Sequence, residues 1–540
     1  PINSYVSLRL HLFFRVKTIV QSICNDPYFR CISVTDERSA GYVAMGLALN
    51  GGKPAAVCCT SGTALLNLHP AVAEAYYQQI PLVVISGDRP ASAVGQMMGQ
   101  TIPQPNVFQS LVKMSVTLPE VKDDNDDWYC NRLINEALLE LYHNGRGPVH
   151  INVPISEPLF DFTTEELPEV RVINRYEGLN EYNNNFEEIF AKINLFTQRM
   201  VIAGQELMIY QFDDAVNQRM NRHFVWFSEY LANQTTPSKC ITNFDAILYT
   251  LTEEEQKKYS PDFLLTFGGH VVSKRVKQFL KKYPPKEHWH VASDGAIVDT
   301  YGCLTKVFQV SVFEFLDRFT SYLMAKENTP YLRFWEMKSK QIPEPQLDYS
   351  SVGVVGSLIR KIAPDSVLHL ANSSVVRYAQ LFKIPRKVEV CCNRGTAGIE
   401  GSLSTAIGYA HLSDKLNYLV IGDLSFFYDM SGLWAKNYSA NFRILLINNS
   451  GGEIFKALRM NLTEKAGRFV TATHHTKAES WAIECGFNYQ SVTNLEDFQK
   501  VLEDFTSPEF TQERPKFLEV FTNSENDVEV YKSYYRSLKK

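Results

Sequence analysis

The chain has 540 residues, of which 45% are hydrophobic and 21% are charged, a balance typical of globular proteins with several apolar cores. Its formal net charge of -5 disfavours a nucleic-acid-binding surface or a polybasic membrane anchor, and no apolar run reaches the roughly 18 residues of a membrane span. The ten cysteines are scattered without metal-like spacing, which predicts reduced thiols in a cytoplasmic protein.

Short apolar runs, most of them closed by small or polar residues, recur along the chain and predict strands buried on both faces. They cover residues 55–59, 82–85, 149–153, 200–203, 263–267, 418–421 and 444–447. Helical patterns separate them, for example at residues 71–79 and 429–438. This alternation predicts an α/β protein with parallel sheets, whose ligands bind beyond the carboxyl ends of the strands.

Two stretches have the composition of linkers. Residues 163–185 are acidic and rich in asparagine, and residues 325–350 contain three prolines. They divide the chain into three parts of ordinary domain size, for which we expect the bounds 1–165, 185–325 and 350–540. The sequence therefore predicts three doubly wound parallel-sheet domains.

The two outer parts share a faint pattern of a small-residue helix, a strand and a glycine-containing turn. It occurs at residues 39–48 before Ser61-Gly62, and at residues 401–410 before Gly422-Asp423. Chance similarity between two α/β units explains this pattern as well as duplication does.

The strongest signal is Gly422-Asp423, followed about 25 residues later by Asn448-Asn449. A strand that ends in Gly-Asp can open a helix whose first N–H groups bind a phosphate. A diphosphate at this place needs a divalent cation with oxygen ligands, and Asp423, Asn449 and Gly451 supply a carboxylate, an amide oxygen and a carbonyl. The alternative is an ordinary strand-to-helix turn beside an asparagine-rich loop.

This spacing resembles the motif of thiamine-diphosphate enzymes. The resemblance implies a glutamate early in the first domain that promotes the imino tautomer of the cofactor in the other subunit, and Glu37 has that position. Taken alone, Glu37 is typical of an acidic residue in the first turn of a helix. The two motifs together favour the catalytic role.

Further motifs narrow the resemblance to the MenD family, the 2-succinyl-5-enolpyruvyl-6-hydroxy-3-cyclohexene-1-carboxylate synthases. The similar segments are TDERSAG (35–41), TSGTA (60–64), GDRP (87–90), NSSVVR (372–377), NRG (393–395), GDLS (422–425) and NNSGGEIF (448–455). The resemblance implies a pyrimidine-binding domain at 1–165 with an altered or truncated start, a central domain at 185–325, and a diphosphate-binding domain at 350–540. It also implies a cytoplasmic homodimer or dimer of dimers, because the family's active site lies between subunits.

In this family, thiamine diphosphate with Mg²⁺ or Mn²⁺ decarboxylates 2-oxoglutarate, and the succinyl carbanion adds to isochorismate in menaquinone biosynthesis. The cofactor serves as the electron sink. Two alternatives remain open at the level of sequence. One is another thiamine-diphosphate 2-oxoacid lyase, such as an acetolactate-synthase-like enzyme, which needs fewer carboxylate-binding arginines. The other is a catalytically impaired homologue that binds the cofactor.

The resemblance implies the residues of the cofactor and metal sites. Those that bind the cofactor are Glu37, Ser61, Ile399, Gly422, Asp423, Leu424, Ser425, Asn449, Ile454 and Phe455. Ile399 corresponds to the apolar residue that supports the bent cofactor, and a generic core isoleucine is the alternative. The metal ligands are Asp423, Asn449 and Gly451.

Both substrates carry two carboxylates, for which arginine is the best-matched side chain. The resemblance implies Ser373, Arg377 and Arg394 for 2-oxoglutarate, Arg89, Gln100, Lys274 and Arg275 for isochorismate, and Leu458 in the pocket wall. For Lys274 alone, a solvated surface lysine is the simpler interpretation. The helical spacing of Ile454, Phe455 and Leu458 is equally typical of core residues.

One segment departs from the family pattern. Where the family has a Cys-Pro-Gly-Ser-Arg loop, this chain retains only Arg15, and Phe14 replaces the serine. We therefore expect this chain to decarboxylate 2-oxoglutarate but to use isochorismate poorly. No histidine is predicted as an acid or base, and the pair His474-His475 has no partner identifiable from the sequence.

Overall fold

The computed structural model describes residues 5–8, 16–157, 170–175, 186–207, 210–234, 240–324, 329–385, 387–435, 439–452, 463–508 and 514–539. Arg15, Ile454, Phe455 and Leu458 lie outside the described residues, as does most of the first expected linker. Within the described part, no helix combines the length and the apolar character needed to cross a bilayer.

The first sheet contains six parallel strands in the order β2-β1-β3-β4-β6-β5. They are β1 (Tyr5–Leu8), β2 (Arg30–Ser33), β3 (Ala55–Cys59), β4 (Leu82–Asp88), β5 (Met114–Thr117) and β6 (Val149–Pro154). The helices of this part are α1 (Val16–Asn25), α2 (Glu37–Gly51), α3 (Thr63–Leu66), α4 (His69–Tyr77) and α5 (Asp124–Glu140). The strands predicted at 55–59, 82–85 and 149–153 are confirmed.

The second sheet has five parallel strands in the order β11-β10-β9-β7-β8. They are β7 (Arg199–Ala203), β8 (Val225–Ser228), β9 (Phe263–Phe267), β10 (Glu287–Val291) and β11 (Lys306–Phe308). The helices here are α6 (Phe186–Ala191), α7 (Asp214–His223), α8 (Phe244–Thr250), α9 (Glu253–Lys258), α10 (Lys274–Lys282), α11 (Val312–Thr320) and α12 (Thr329–Gln341).

Helix α12 corrects the prediction of a linker at 325–350. Tyr331, Phe334 and Trp335 are buried and pack into a core cluster of the central part. Their helical spacing forms an apolar face, and burial of that face outweighs the linker-like composition.

The third sheet has six parallel strands in the order β13-β12-β14-β15-β17-β16. They are β12 (Val367–Leu370), β13 (Glu389–Cys391), β14 (Asn417–Gly422), β15 (Phe442–Asn448), β16 (Asn488–Val492) and β17 (Lys516–Phe521). The helices are α13 (Ser351–Lys361), α14 (Ser374–Ala379), α15 (Ser402–His411), α16 (Asp423–Asp429), α17 (Glu464–Thr471), α18 (Glu479–Glu484), α19 (Leu495–Thr506) and α20 (Ser524–Ser537). The chain thus contains three α/β units, each built on a sheet of parallel strands, and this confirms the predicted fold class.

The helix predicted at 429–438 is displaced in the structure. Helix α16 begins directly at Asp423 and ends at Asp429, and a 3₁₀ helix follows over Met430–Ala435. A Cβ on Gly432 would lie 2.5 Å from the Ser404 hydroxyl, so the 3₁₀ segment packs tightly against α15. The helix therefore starts where β14 ends, which brings its first turn to the edge of the sheet where ligands bind.

The two outer parts share a hydrophobic core. Helices α2 and α15, the two small-residue helices of the sequence pattern, pack along each other, and nearly all their residues are buried. One cluster contains Val43 and Leu47 of α2 together with Ala406 and Tyr409 of α15. The helix that begins with Glu37 is thereby fixed against the part of the chain that contains Asp423.

Candidate active site

Asp423 lies where β14 gives way to α16, and the asparagine loop after β15 folds around it. Its side chain is 3% exposed. The Oδ2 atom accepts hydrogen bonds from the N–H groups of Asn449 at 3.2 Å and Gly451 at 2.9 Å. The three expected metal ligands are thus brought together, because β14 and β15 are paired neighbours in one sheet.

The donor set at Asp423 fits a divalent cation bound together with a diphosphate. It offers one carboxylate, the Asn449 side chain and the Gly451 carbonyl, and a hard cation completes such a set with phosphate and water oxygens. The Asn449 side chain also lies close to the buried Asp527, where it acts to lower the pKa that burial raises. A Cβ on Gly422 would meet nothing within 4 Å, so there is open space beside the turn. Among the described residues, no group of three or more His, Cys, Asp or Glu side chains could hold a metal.

His474 is a neighbour of Asp423 that the sequence did not predict. Its Nε2 atom lies 3.2 Å from Oδ2 of Asp423, and its Nδ1 accepts a hydrogen bond from the N–H of Thr476. Nε2 itself is buried and has no hydrogen-bond partner among the described residues, so its contact with the Asp423 carboxylate is one of proximity and charge. Burial raises the pKa of Asp423, while the neighbouring N–H groups and His474 act in the opposite direction.

Ile399 belongs to a loop that contacts the first turn of α16. The Ser425 hydroxyl donates a hydrogen bond to the carbonyl oxygen of Ile399. The Ile399 side chain is 39% exposed, so it is not a generic core residue. Two residues expected at the cofactor, Ile399 and Ser425, are therefore adjacent in space.

Glu37 is the first residue of α2, and its side chain is 8% exposed. The Asn67 amide lies 3.4 Å from its Oε2 atom. The neighbouring residue Asp36 caps the helix and accepts a hydrogen bond at 2.7 Å from the Ser431 hydroxyl, just after α16. These contacts attach the helix start that carries Glu37 to the last third of the chain.

Ser373, Arg377 and Arg394 gather at the carboxyl ends of the paired strands β12 and β13. Asn372 accepts a hydrogen bond at 2.7 Å from Arg394 and donates one at 2.6 Å to the Asn393 carbonyl. Ser373 has φ 70° and ψ -120°, a backbone conformation that a serine rarely adopts and that is concentrated at functional sites. Within the described residues, the buried Nε atoms of Arg377 and Arg394 have no hydrogen-bond partner.

The turn that carries Arg89 is connected to the Ser61-Gly62 turn through Gln104, which is fully buried. Gln104 accepts a hydrogen bond from the Gly62 N–H at 2.9 Å and donates to Asn152 at 2.8 Å and the Gly87 carbonyl at 3.2 Å. Gly62 has φ +86°, and a Cβ there would lie 3.2 Å from Cα of Gln100. Gln100 therefore lies against the Ser61-Gly62 turn, and Gln104 joins that turn to the strand end that precedes Arg89.

Lys274 and Arg275 point in different directions. Lys274 is exposed at the start of α10, whereas Arg275 forms an ion pair with Asp245 and lies 4.4 Å from the ring of Tyr535. Consecutive helical residues differ by about 100° in direction, so the two side chains leave the helix on different faces. The assignment of Lys274 and Arg275 to isochorismate stays a prediction.

Glu229 is a second buried carboxylate beside the site that the sequence did not predict. It is 5% exposed and accepts hydrogen bonds from the N–H groups of Val272 at 2.7 Å and Ser273 at 2.8 Å. Burial raises the pKa of Glu229 to about 7, although these N–H groups and the charge of Arg394 lower it. Glu229 thus holds the start of α10 and adds an acidic group near Arg394.

Comparisons with known proteins bear on the family and the fold of the chain. The family model "Thiamine pyrophosphate enzyme, N-terminal TPP binding domain" matches residues 15–111, and "Middle domain of thiamine pyrophosphate" matches residues 228–363. The chain is 56% identical over 522 residues to a Bacteroides thetaiotaomicron protein named 2-succinyl-5-enolpyruvyl-6-hydroxy-3-cyclohexene-1-carboxylate synthase, covering 96% of this chain and 94% of that protein. A Flavobacterium johnsoniae protein of the same name is 38% identical over 524 residues, covering 95% and 92% of the two chains.

Among solved structures, a thiamine diphosphate-dependent 4-hydroxybenzoylformate decarboxylase from Rhodococcus jostii RHA1 matches with a TM-score of 0.69. The match covers 96% of each chain at 17% sequence identity, so it bears on the fold alone.

Proposed function

The chain belongs to the family of 2-succinyl-5-enolpyruvyl-6-hydroxy-3-cyclohexene-1-carboxylate synthases, which are thiamine-diphosphate enzymes, and from this membership we propose its substrates, metal and site residues. The substrates are 2-oxoglutarate, which loses carbon dioxide, and isochorismate, to which the remaining four-carbon unit is added. The observation that carries this proposal is the group of Ser373, Arg377 and Arg394 at one sheet edge, where the buried Nε donors of both arginines have no partner among the described residues.

The cofactor site would combine the last part of one subunit with the first part of a second subunit. Thiamine diphosphate, when bound, supplies the electron sink for decarboxylation of a 2-oxoacid. Asp423, Asn449 and Gly451 would hold Mg²⁺ or Mn²⁺ through oxygen atoms. Glu37, nearly buried at the start of α2, would hold and transfer the proton of the aminopyrimidine ring.

The basic residues would bind and orient the carboxylates of the two substrates. Arg377 and Arg394, with the Ser373 hydroxyl, would bind a carboxylate of 2-oxoglutarate, because guanidinium groups form paired charge-assisted hydrogen bonds with carboxylates. Arg89, Gln100, Lys274 and Arg275 would bind isochorismate. The roles of Arg15, Ile454, Phe455 and Leu458 remain predictions, since these residues lie outside the described part of the chain.

We propose that the working unit is a homodimer or a dimer of dimers. Tyr428 and Trp434, which lie at the end of α16 and in the following 3₁₀ helix, are 50% and 55% exposed. Leu66, which precedes the Asn67 neighbour of Glu37, is 41% exposed. A second copy that covers these apolar side chains would also exclude water from the cofactor site.

A substrate comparison tests the proposed function. The purified chain with thiamine diphosphate and Mg²⁺ is supplied with isochorismate and either 2-oxoglutarate or pyruvate, and the adducts are identified by mass spectrometry. We expect the succinyl adduct from 2-oxoglutarate and no adduct from pyruvate. Condensation of pyruvate with a second 2-oxoacid would indicate an acetolactate-synthase-like enzyme. Cofactor binding without any adduct would indicate an impaired homologue.

A further inference from the structure

Glu74 is a buried carboxylate that joins the first part of the chain to the loop carrying Arg394. It lies on α4 and is 1% exposed. Its Oε1 atom accepts hydrogen bonds from the Gly395 N–H at 2.7 Å and the Gln78 amide at 2.6 Å. Its Oε2 atom accepts from the N–H and the hydroxyl of Thr396 at 2.6 and 2.5 Å. The carboxylate is therefore fully hydrogen-bonded although it is buried.

These bonds fix the backbone immediately after Arg394. A Cβ on Gly395 would lie 2.8 Å from the carbonyl oxygen of Glu74, so the loop approaches α4 as closely as a glycine allows. The backbone immediately before Arg394 is held separately, because the Asn372 amide donates to the Asn393 carbonyl. The Arg394 side chain thus projects from a segment that is anchored on both sides.

We propose that Glu74 is a positioning residue for substrate binding: it does not touch 2-oxoglutarate, but it sets the position from which Arg394 binds the substrate carboxylate. The inference rests on the proposed role of Arg394. A guanidinium must be aligned with a carboxylate to form paired bonds, so a displaced loop weakens binding even though Arg394 is still present.

Glu74→Gln is the variant that tests this role, because it keeps the shape of the side chain but turns one acceptor oxygen into an NH₂ group facing a donor. We expect the KM for 2-oxoglutarate to rise about tenfold, the loss typical of one charge-assisted hydrogen bond. The kcat should stay within about twofold, since Arg394 would bind substrate and transition state alike. The affinity for thiamine diphosphate should be unchanged. Glu74→Asp keeps the charge, so its KM for 2-oxoglutarate should lie between those of the wild type and Glu74→Gln.

Asp262 offers a matched control. It also accepts hydrogen bonds from two backbone N–H groups, of Thr197 at 3.0 Å and Gln198 at 2.8 Å, and from the Thr197 hydroxyl at 3.2 Å. It precedes β9, at the amino end of the central sheet. Asp262→Asn should lower the melting temperature without changing the KM. An equal rise in KM for Asp262→Asn and Glu74→Gln would overturn the positioning role.

A double-mutant cycle separates the positioning role from the role of Arg394. In an Arg394→Ala background, Glu74→Gln should change the KM by less than about twofold. The inference would be overturned if Glu74→Gln raised the KM for 2-oxoglutarate by the same factor in the Arg394→Ala background as in the wild type. If Arg394→Ala raises the KM and Glu74→Gln does not, the inference alone fails. If Arg394→Ala leaves the KM unchanged, the proposed role of Arg394 fails, and the inference fails with it.

Substitutions of Thr396 provide a second test, which applies even if the Glu74→Gln variant does not fold. Thr396→Val removes only the hydroxyl bond to Glu74, whereas Thr396→Ser retains a hydroxyl at the same position. We expect a raised KM for 2-oxoglutarate in Thr396→Val and a near-normal KM in Thr396→Ser. Identical KM values for the two variants would contradict the anchoring of the loop by Glu74.

Discussion

Gly46 of α2 and Thr405 of α15 are in direct backbone contact: a Cβ on Gly46 would lie 2.1 Å from the carbonyl oxygen of Thr405. The contact is reciprocal, because a Cβ on Gly408 would lie 2.1 Å from the carbonyl oxygen of Val43. No side chain fits between two helices at this separation. Since α2 begins with Glu37, the contact sets the distance between Glu37 and the last third of the chain.

Gly46→Ala should therefore force the two helices apart and destabilise the protein. We expect the free energy of unfolding to fall by about 3 kcal/mol, the upper range for overpacking in a core. Gly51→Ala is the control in the same helix, because the nearest atom to a Cβ there is 4.0 Å away. Denaturant unfolding compares the two variants, and equal midpoints would contradict the close contact.

Glu37→Gln should remove most of the turnover and leave cofactor binding intact. An amide cannot exchange a proton as a carboxylate does, and such transfers contribute about 100-fold or more to the rate. Calorimetry measures cofactor binding and a product assay measures turnover. Glu253→Gln is the control for a purely helix-stabilising role, because Glu253 is also the first residue of a helix. Near-normal turnover of Glu37→Gln would exclude the assigned role.

Asp423→Ala should abolish the dependence of cofactor binding on Mg²⁺, because the cation would lose its only charged ligand in the proposed set. Titrations of thiamine diphosphate with and without Mg²⁺ measure this dependence. Asp429→Asn, at the other end of α16, should retain it. Unchanged affinity of Asp423→Ala in the presence of Mg²⁺ would show that the cation binds elsewhere.

Asp429 should make the stability of the protein depend on pH. Its side chain is fully buried and accepts hydrogen bonds from the Ser404 N–H and hydroxyl at 2.8 and 2.7 Å. Burial nevertheless raises the pKa of Asp429 from 3.8 to about 6. Between these two values the folded state binds more protons than the unfolded state, so stability falls as pH rises and levels off above the folded pKa.

The buried charge of Asp429 should thus cost about 3 kcal/mol at neutral pH. Asp429→Asn removes this titration, so the variant should gain stability relative to the wild type between pH 4 and 7. Urea unfolding of both proteins across this range measures the difference. Asp414→Asn, at an exposed position, is the control for loss of a charge. A stability difference between wild type and Asp429→Asn that does not vary with pH would contradict the raised pKa.

The sequence predicted best those features that depend on neighbouring residues. The strand at Phe263–Phe267 was predicted with its observed bounds, and Asp423, Asn449 and Gly451 do meet at the ends of adjacent strands. Helix α12 was missed because Pro330, Pro343 and Pro345 were interpreted as linker signals. Pro330, however, lies in the first turn of the helix, where the missing N–H has no partner to lose.

The contacts that the sequence could not predict join distant segments. Glu74 and Gly395 are 321 residues apart in the chain, and nothing local to either residue signals their hydrogen bond. The same applies to His474, which reaches Asp423 only because the chain after the asparagine loop folds back onto it. The ion pair between Arg275 and Asp245 is a further contact of this kind, because the two residues lie on different helices. Such pairings depend on tertiary packing.

The most direct measurement of the central claim is the ratio of carbon dioxide released to adduct formed when 2-oxoglutarate and isochorismate are both supplied with thiamine diphosphate and Mg²⁺. We expect carbon dioxide and 2-succinyl-5-enolpyruvyl-6-hydroxy-3-cyclohexene-1-carboxylate to become equimolar at saturating isochorismate, and the altered segment around Arg15 should raise the concentration of isochorismate that this requires. Sustained release of carbon dioxide that is independent of isochorismate, with no adduct formed, would contradict the claim that this chain joins the two substrates.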